Sequence, residues 1–192
     1  MKFIFRLLLY FNYCAMANIN DFFWEGYEIP STQSKYSRIE KDKELRIRIL
    51  SKPLIGWEYF QLQEDWKRKP VRSKLKFSVV EDPAINKFTW KPETPKEFWA
   101  FKVYNCTTKS IEIFQTTKNT IKESIMNLFM DQDFWEPQKY DLKITKKWEL
   151  TETTYSVIPW PITPIAKEIK ELESETFVDL EKLLTGMDPF TE

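Results

Sequence analysis

The chain of 192 residues contains no histidine and only two cysteines, Cys14 and Cys106. Without histidine, the Ser-His-Asp and Cys-His arrangements of nucleophilic catalysis are excluded. A zinc ion would need ligands from two thiols and carboxylates, and their spacing matches no zinc motif. Two cysteines far apart in the sequence fit a reducing compartment, where they would be buried thiols. We therefore expect a cytoplasmic protein without a metal ion or cofactor.

Long apolar runs, internal repeats and low-complexity segments are also missing. No segment approaches the roughly 20 apolar residues that a membrane span requires, so no membrane association is expected. Residues 1–15, MKFIFRLLLYFNYCA, resemble a short signal sequence. Alternatively, Met16 is the working start and the preceding residues are an upstream extension. The second interpretation is favoured, because MANINDFF begins a polar arm typical of cytoplasmic proteins.

Aromatic residues and unevenly placed charges are abundant. Aromatics make up 16% of the chain, with eight Trp, and the formal net charge is zero. Residues 35–78 contain 13 Lys and Arg against 6 Asp and Glu, whereas residues 151–192 contain 3 against 9. A basic segment with interleaved Trp and Tyr is typical of proteins that bind single-stranded nucleic acid, although cores take up most aromatic side chains.

Hydrophobic periodicity predicts one mainly β domain between two extensions. The strands are expected at 43–50, 56–60, 97–104, 110–115, 140–145 and 152–158, with a loop over 81–96. Thr117 is expected to cap one amphipathic helix from about 118 to 130. We predict an N-terminal extension and arm over 1–36, a nucleic-acid-binding domain over 37–160 and an acidic tail over 161–192. The tail is expected to contain a short helix within 167–185.

Residues 97–121, EFWAFKVYNCTTKSIEIFQTTKNTI, carry the densest structural pattern. They predict a strand, a turn, a second strand and the start of the helix. In the first strand, Phe98 and Tyr104 lie on one face while Trp99 and Phe101 lie on the other. A strand with aromatics on both faces is either buried on both sides or uses one face to bind a flat ligand. The sequence leaves this choice open.

The order of the predicted elements indicates a fold. A helix between the third and fourth strands of a five-stranded barrel is the order of the OB-fold, whose sheet face and loops bind oligonucleotides. Two basic features accompany it. Arg48 lies on the basic face of the first strand, and residues 66–77 form the most basic window of the chain. Each of these two basic features either contacts the phosphate backbone of a nucleic acid or is only a solvated surface.

Several segments together resemble the single-stranded DNA-binding proteins of tailed bacteriophages. They are GWEYF, KPVRS, FWAFKVYN, IEIFQTTKNTIKESI and YDLKITKKWELTETTYSVIP, in this order, and the resemblance covers roughly residues 18–165. It implies an OB-fold and a protein that coats single-stranded DNA during replication or recombination, in the host cytoplasm if viral. One departure is the turn in KKWELTETTY, which lacks glycine and carries Trp148, so its shape is expected to differ.

The expected mechanism combines phosphate neutralisation with base stacking and has little sequence preference. The candidate phosphate contacts are Arg48, Lys67, Arg68, Arg72, Lys74 and Lys76. The candidate stacking residues are Trp57, Tyr59, Trp99, Phe101 and Tyr104. An aromatic at strand spacing is more often part of a core than of a binding surface, so only a part of this second set is expected to be exposed.

The acidic C-terminus ends in Asp188-Pro189-Phe190 followed by two residues. This resembles the acidic tail of bacterial single-stranded DNA-binding proteins, whose terminal Pro-Phe docks partner proteins. The resemblance implies a hook for replication or recombination proteins. Alternatively, the anionic segment competes with DNA for the basic groove, or the tail only improves solubility.

Two other functions are alternatives to nucleic-acid binding. An enzyme would need carboxylates for a metal ion, and the pairs Asp131 with Asp133 and Glu81 with Asp82 lie in turns without a third ligand nearby. We therefore expect no enzymatic activity. The alternative function is a structural or protein-interaction module, such as a virion or scaffold component, that binds protein through its aromatic surface. The oligomeric state stays open.

Overall fold

The computed structural model of the protein describes residues 34–64, 66–87, 89–149 and 152–192, and the side chains of these residues other than 148, 149 and 152. Most of the N-terminal extension and arm predicted over 1–36 lies outside the described residues. Trp148 belongs to the turn in which the sequence departs from the bacteriophage proteins, and its side chain is among those left out. Cys14 also lies outside the described residues.

The described residues are mainly β-structure, as the sequence predicts. The strands are β1 (Tyr36–Ser37), β2 (Glu44–Ile49), β3 (Leu54–Leu62), β4 (Arg68–Ser73), β5 (Lys96–Asn105), β6 (Ser110–Thr116), β7 (Asp141–Glu149) and β8 (Glu152–Pro159). The helices are α1 (Asn119–Met130), α2 (Lys167–Glu175) and α3 (Lys182–Thr185), with a short 3-10 turn at Pro137–Lys139.

The strands form one open, mixed sheet in the order β1-β6-β5-β2-β7-β8. β1 pairs with β6 in parallel, and the other pairs are antiparallel. β3 pairs with the first half of β5 and with β4. No pairing joins β6 to β8 among the described residues. The sheet is therefore open at the place where a five-stranded barrel would close.

β5 is buried on both faces, which answers the question that its aromatic pattern raises. Trp99, Phe101 and Val103 point into the larger core, together with apolar residues of β2, β6, β7 and α1. On the opposite face, Phe98 and Ala100 belong to a second, smaller core. The strand therefore lies in the interior and presents no broad aromatic face to solvent.

The second core is covered by the chain beyond the sheet. Residues 167–192, here called the C-terminal segment, contain the two short helices α2 and α3 in place of the single helix predicted within 167–185. Leu183 of α3 is 2% exposed and packs with Leu54, Phe98 and Ile113. Pro189 is buried as well. The predicted tail is thus a folded part of the domain, because its leucines complete a core that the sheet leaves uncovered.

Two local predictions are wrong. Lys118 occupies the N-cap position of α1 and no side chain caps the helix, so Thr117 is not the cap. The hydroxyl of Thr116 instead accepts a hydrogen bond from the Lys118 backbone N–H at 3.1 Å. The basic window 66–77 also contains a strand, β4, which its charge pattern does not indicate. β4 forms because it pairs along six positions with β3, a contact that is not visible in local sequence.

Candidate nucleic-acid interface

Three of the five predicted stacking residues are buried. Tyr59 is 5% exposed, Trp99 8% and Phe101 1%. The Tyr59 ring packs edge-on against Phe77, with ring centroids 4.9 Å apart, and its hydroxyl donates to the backbone carbonyl of Glu81 at 3.2 Å. A base needs an open ring face for stacking, so Tyr59 and Phe101 are core residues rather than binding residues. Trp99 is buried in the larger core and lines a surface groove as well.

Arg48 is also a structural residue. Its side chain is 4% exposed and forms an ion pair with the buried carboxylate of Asp141. Its guanidinium further donates to the hydroxyl and the backbone carbonyl of Thr163, at 2.7 and 3.0 Å. Because these partners use its donors inside the protein, the prediction that Arg48 contacts phosphate is wrong.

The two arginines of the basic window are held in ion pairs. Arg72 donates to Glu58 at 3.0 Å and to Gln115 at 3.0 Å, and Glu58 also accepts from the Gln115 amide at 2.7 Å. This cluster lies on the face that the C-terminal segment covers, so Arg72 is not available to a ligand. Arg68 donates to Glu93 at 2.7 Å and its guanidinium lies 5.1 Å from the Phe60 ring centroid. Arg68 remains partly exposed.

The four lysines of the window lie at the surface: Lys67, Lys69, Lys74 and Lys76. The Lys76 ammonium lies 5.2 Å from the centroid of the Trp57 ring, which is half-buried. Lys74 forms an ion pair of 3.0 Å with Glu181 of the C-terminal segment. The predicted phosphate contacts therefore divide into accessible lysines and arginines that have structural partners.

Tyr104 lies away from these groups. It is half-buried at the end of β5, opposite Arg48. Trp57 pairs with Glu97 at the start of the same strand, seven residues earlier. At about 3.3 Å per residue, roughly 23 Å of strand separates these two positions. The structure does not bring Tyr104 together with Trp57.

A groove of about 930 Å³ lies where α1 and β8 approach the start of β5. Three aromatic residues line it: Trp57 from β3, Trp99 from β5 and Tyr155 from β8. Three lysines line it as well: Lys96, Lys118 and Lys122. Hereafter "the groove" means the space between these six residues. Aromatic rings beside ammonium groups form the kind of surface that holds bases and phosphates together.

The charges of the groove are partly paired. The Glu97 carboxylate accepts hydrogen bonds from Lys122 and from the Trp99 indole N–H, both at 3.0 Å. This arrangement fixes Glu97 and leaves Lys122 little freedom to bind an anion. Lys96 lies 3.7 Å from Glu93 but stays exposed, and Lys118 is exposed. Lys96 and Lys118 are therefore the cations that a ligand in the groove would meet, together with the exposed carboxylate of Glu123, which also lines the groove.

Sequence reasoning missed four of the six groove residues. Tyr155 belongs to a predicted strand, Lys118 and Lys122 to a predicted helix and Lys96 to a predicted loop, and these three elements meet only in the folded chain. Each lysine alone has the pattern of a solvated surface residue, so no local signal identifies it. Trp57 and Trp99 were found because both are aromatics at strand positions.

Other chemistry-bearing groups have structural partners. The Cys106 thiol has a pKa raised to about 11 by burial and by the nearby Asp141 carboxylate, so it stays protonated at neutral pH. Asp131 ends α1 and its side chain accepts a hydrogen bond from the Asp133 backbone N–H at 2.8 Å. Within the described ranges, no group of three or more Cys, Asp or Glu side chains is arranged to hold a metal ion.

Comparison of the chain with protein-family models, with curated proteins and with solved structures found no match. Among the residues that the structure describes, every helix is too short or too polar to cross a membrane.

Proposed function

We propose that the protein binds single-stranded nucleic acid, with single-stranded DNA as its ligand, by base stacking and phosphate neutralisation with little sequence preference. The observation that carries this proposal is the groove, in which Trp57, Trp99 and Tyr155 lie beside Lys96 and Lys118. The half-buried rings of Trp57 and Tyr155 would contact bases, and the lysines would contact the phosphates between them. Stacking contributes about 1 to 3 kcal/mol per base and tolerates all bases.

The strand pairing supports an OB-type interpretation of the fold. β5 pairs with β6 along one edge and with both β2 and β3 along the other, while β2 pairs with β7 and β7 with β8. If β2 and β3 are two halves of one strand bent at residues 50–53, and the peripheral strands β1 and β4 are set aside, five strands remain with α1 between the third and the fourth. This is the order of the partly open five-stranded OB barrel.

The biological role that we propose is the coating of single-stranded DNA during replication or recombination, in a bacteriophage infection of a host cell. This part of the proposal depends on the resemblance to bacteriophage proteins. The C-terminal segment would bind a replication or recombination protein only if it detached from the domain. Phe190 packs edge-on against Tyr36, with ring centroids 6.4 Å apart, and Pro189 is buried.

The test is a titration of the full chain with oligo-dT, oligo-U and duplex DNA at about 50 and about 200 mM salt, followed by tryptophan quenching. We expect oligo-dT to bind more tightly than the duplex, and the affinity to fall as salt rises. The comparison with oligo-U measures the preference for DNA over RNA. Absence of oligo-dT binding at the lower salt concentration would overturn the proposed function.

Two variants locate the binding in the groove. Trp57→Ala removes a stacking ring and is expected to weaken oligo-dT binding about fivefold or more. Lys118→Ala is expected to lower the slope of log affinity against log salt by about 0.7, the loss of one phosphate contact on a single strand. Lys170→Ala, at an exposed position on α2, is the matched control and should leave the slope unchanged. Equal slopes for Lys118→Ala and wild type would exclude Lys118 as a phosphate contact.

A protein-interaction module is the second candidate function, and one observation favours it. On α1, the side chains of Met126, Phe129 and Met130 are 44%, 43% and 78% exposed. An exposed apolar helix face is typical of a protein docking surface. This candidate predicts a virion or scaffold role without affinity for oligonucleotides, so the same titration separates the two functions.

A further inference from the structure

Two tryptophans are more exposed than any other large hydrophobic side chain described. Trp66 is 82% exposed and Trp90 is 81% exposed. Neither contributes much to a core, so neither is explained by folding stability. A single exposed hydrophobic side chain needs no explanation, so the case for a binding site depends on the backbone and the neighbours of the two tryptophans.

Each of these tryptophans occupies a backbone position that suits glycine. The φ angles are 60° at Trp66 and 55° at Trp90, in the left-handed region. A bulky side chain is a rare outlier there, and glycine, asparagine or aspartate would be favoured. Strained residues at the surface indicate a functional constraint, because the fold itself gains nothing from them.

Two hydrogen-bonded turns present the two rings. In the turn 63–67, the Trp66 N–H donates to the Gln63 carbonyl at 2.9 Å, and the Gln63 N–H donates to the Lys67 carbonyl at 2.9 Å. In the turn 86–91, the Trp90 N–H donates to the Asn86 carbonyl, and the Asn86 N–H donates to the Lys91 carbonyl, each at 2.9 Å. In both turns, the same pattern of two backbone hydrogen bonds fixes the tryptophan.

The two turns belong to one structural unit, here called the turn pair. The Leu62 N–H donates to the Asp82 carbonyl at 3.0 Å, and the Ala84 N–H donates to the Phe60 carbonyl at 2.7 Å. These bonds join the strand before the first turn to the chain before the second. These backbone bonds hold the chain that leads to the second turn beside the part of β3 that leads to the first turn.

An ion-pair chain connects the turn pair to the groove. Glu93, which follows the second turn, accepts from Arg68 at 2.7 Å and lies 3.7 Å from the Lys96 ammonium. Arg68 follows the first turn, and Lys96 lines the groove. The end of the groove at Lys96 is therefore linked through Glu93 to the residues that follow both turns.

The charges of the turn pair suit an anionic ligand. In both turns a lysine directly follows the tryptophan, at Lys67 and Lys91, and Lys69 and Lys87 are also exposed. Two acidic residues, Glu64 and Asp65, precede Trp66 in the sequence, whereas residues 83–92 contain no carboxylate. A tryptophan next to a lysine can stack on a base while the ammonium contacts the adjoining phosphate.

We propose that Trp66 and Trp90 form a second base-stacking site, which binds the bases of a single-stranded nucleic acid that extends beyond the groove. This inference rests on the proposed function and extends its contact surface to the turn pair. The site is sequence-tolerant, since any base offers a flat face to an indole ring. It requires an oligonucleotide long enough to leave the groove.

The test compares wild type with Trp66→Ala, Trp90→Ala and the double variant, using oligo-dT of about 4 and about 16 nucleotides, the range of site sizes for such folds. With the long oligonucleotide, we expect each variant to bind about fivefold to a hundredfold more weakly. With the short one, all proteins should bind alike. Trp66→Phe and Trp90→Phe should restore part of the affinity, because phenylalanine keeps a ring.

Matched controls separate this site from the groove and from general effects. Trp135→Ala removes another exposed tryptophan, 59% exposed and outside both sites, and should leave both oligonucleotides bound as in wild type. Trp57→Ala should weaken the short and the long oligonucleotide alike. Because Trp66 and Trp90 are exposed, the thermal midpoints of their variants should match that of the wild type, which excludes unfolding as the cause.

Three results would overturn the proposal. If the double variant binds the long oligonucleotide like wild type while Trp57→Ala weakens it, the groove is the binding site and the turn pair is not. If the double variant loses affinity only for vesicles of anionic lipid, the tryptophans serve a membrane surface. If wild type binds no oligonucleotide at all, the proposed function fails and this site fails with it.

Discussion

At the scale of single residues, close packing leaves no room for a side chain at Gly56. A Cβ atom on Gly56 would lie 2.9 Å from Cε1 of Phe98 and 2.9 Å from the carbonyl oxygen of Ser73. Both distances are shorter than real Cβ contacts, and a backbone oxygen cannot move aside cheaply. Gly56 therefore allows β3 to cross the second core at the position of the Phe98 ring.

We predict that Gly56→Ala lowers the free energy of unfolding by about 1 to 3 kcal/mol, the usual cost of overpacking a core. Urea denaturation of the purified protein measures it. Adding Phe98→Leu should recover part of the loss, because the smaller side chain relieves the contact with the new methyl group. If the effects of the two substitutions on the free energy of unfolding simply add, the Phe98 ring is not the cause of the strain.

A buried carboxylate couples folding to pH. Burial acts to raise the pKa of Glu112, but hydrogen bonds from Ser37, Thr108, Asn105 and Ser110 outweigh it and hold the pKa below its ordinary value. A carboxyl whose pKa is lower in the folded state stabilises the fold above its unfolded-state pKa. That contribution is lost as the pH falls through the folded-state pKa.

We predict that Glu112→Gln costs about 2 kcal/mol of unfolding free energy at neutral pH, since it removes hydrogen bonds to a charged group. The variant should lose less stability than wild type when the pH falls from about 6 to about 3, around the ordinary glutamate value of about 4.3. Urea denaturation as a function of pH compares them. If the unfolding free energies of the variant and of wild type fall in parallel over this pH range, Glu112 is not the group whose protonation destabilises the fold.

At the scale of elements, the C-terminal segment links its acidic residues to the basic sheet. Glu181 pairs with Lys74 at 3.0 Å, and Glu173 pairs with Lys102 at 2.8 Å. The first contact joins the acidic region 151–192 to the basic segment 35–78, and the second joins the acidic region to β5. The opposite charges of the two regions therefore meet within the domain.

We predict that the double substitution Glu173→Gln and Glu181→Gln strengthens oligo-dT binding at low salt, because it frees Lys74 and Lys102 for phosphates. Each new phosphate contact should steepen the slope of log affinity against log salt by about 0.7. Glu171→Gln, whose carboxylate pairs with Lys167 within α2, is the matched control and should leave the slope unchanged. An unchanged slope for the double variant would mean that neither lysine reaches DNA.

At the scale of the whole molecule, the two cores share β5 as their common wall. The larger core lies on one face, and the smaller core on the other face depends on Leu183. The sequence predicts that residues 161–192 form an acidic tail. In the folded protein, Leu183 and its neighbours pack on Phe98, Ala100 and Ile113, so deleting residues 167–192 uncovers the second core.

We predict that Leu183→Ala destabilises the protein by about 2 to 5 kcal/mol, the range for buried leucine truncations. Deletion of residues 176–192 should destabilise it further, because it exposes the whole second core. Thermal unfolding followed by circular dichroism measures both. Leu75→Ala, at a side chain that is 78% exposed, is the control and should leave the midpoint unchanged. If the C-terminal segment were instead a free tail, Leu183→Ala would be as stable as wild type.

The elements of the sheet and the helix α1 could be predicted from sequence, because their periodicity is a local property. Strands at 43–50, 97–104 and 110–115 agree with β2, β5 and β6 within one or two residues. β4 could not be predicted. In its six residues, RKPVRS, apolar and polar side chains alternate only weakly, and they form a strand only beside β3. The predicted basic and acidic regions both exist, but their pairing with each other has no local signal.

The sequence by itself determined the mainly β class, the order of the strands around α1 and the exclusion of histidine chemistry. Only the tertiary structure decided which aromatics are accessible. Phe101 and Tyr59 became core residues because β5 and β3 are covered by other elements, whereas Trp66 and Trp90 stayed exposed at turns. The physical reason is that periodicity assigns a side chain to a face of a strand, while burial depends on what packs against that face.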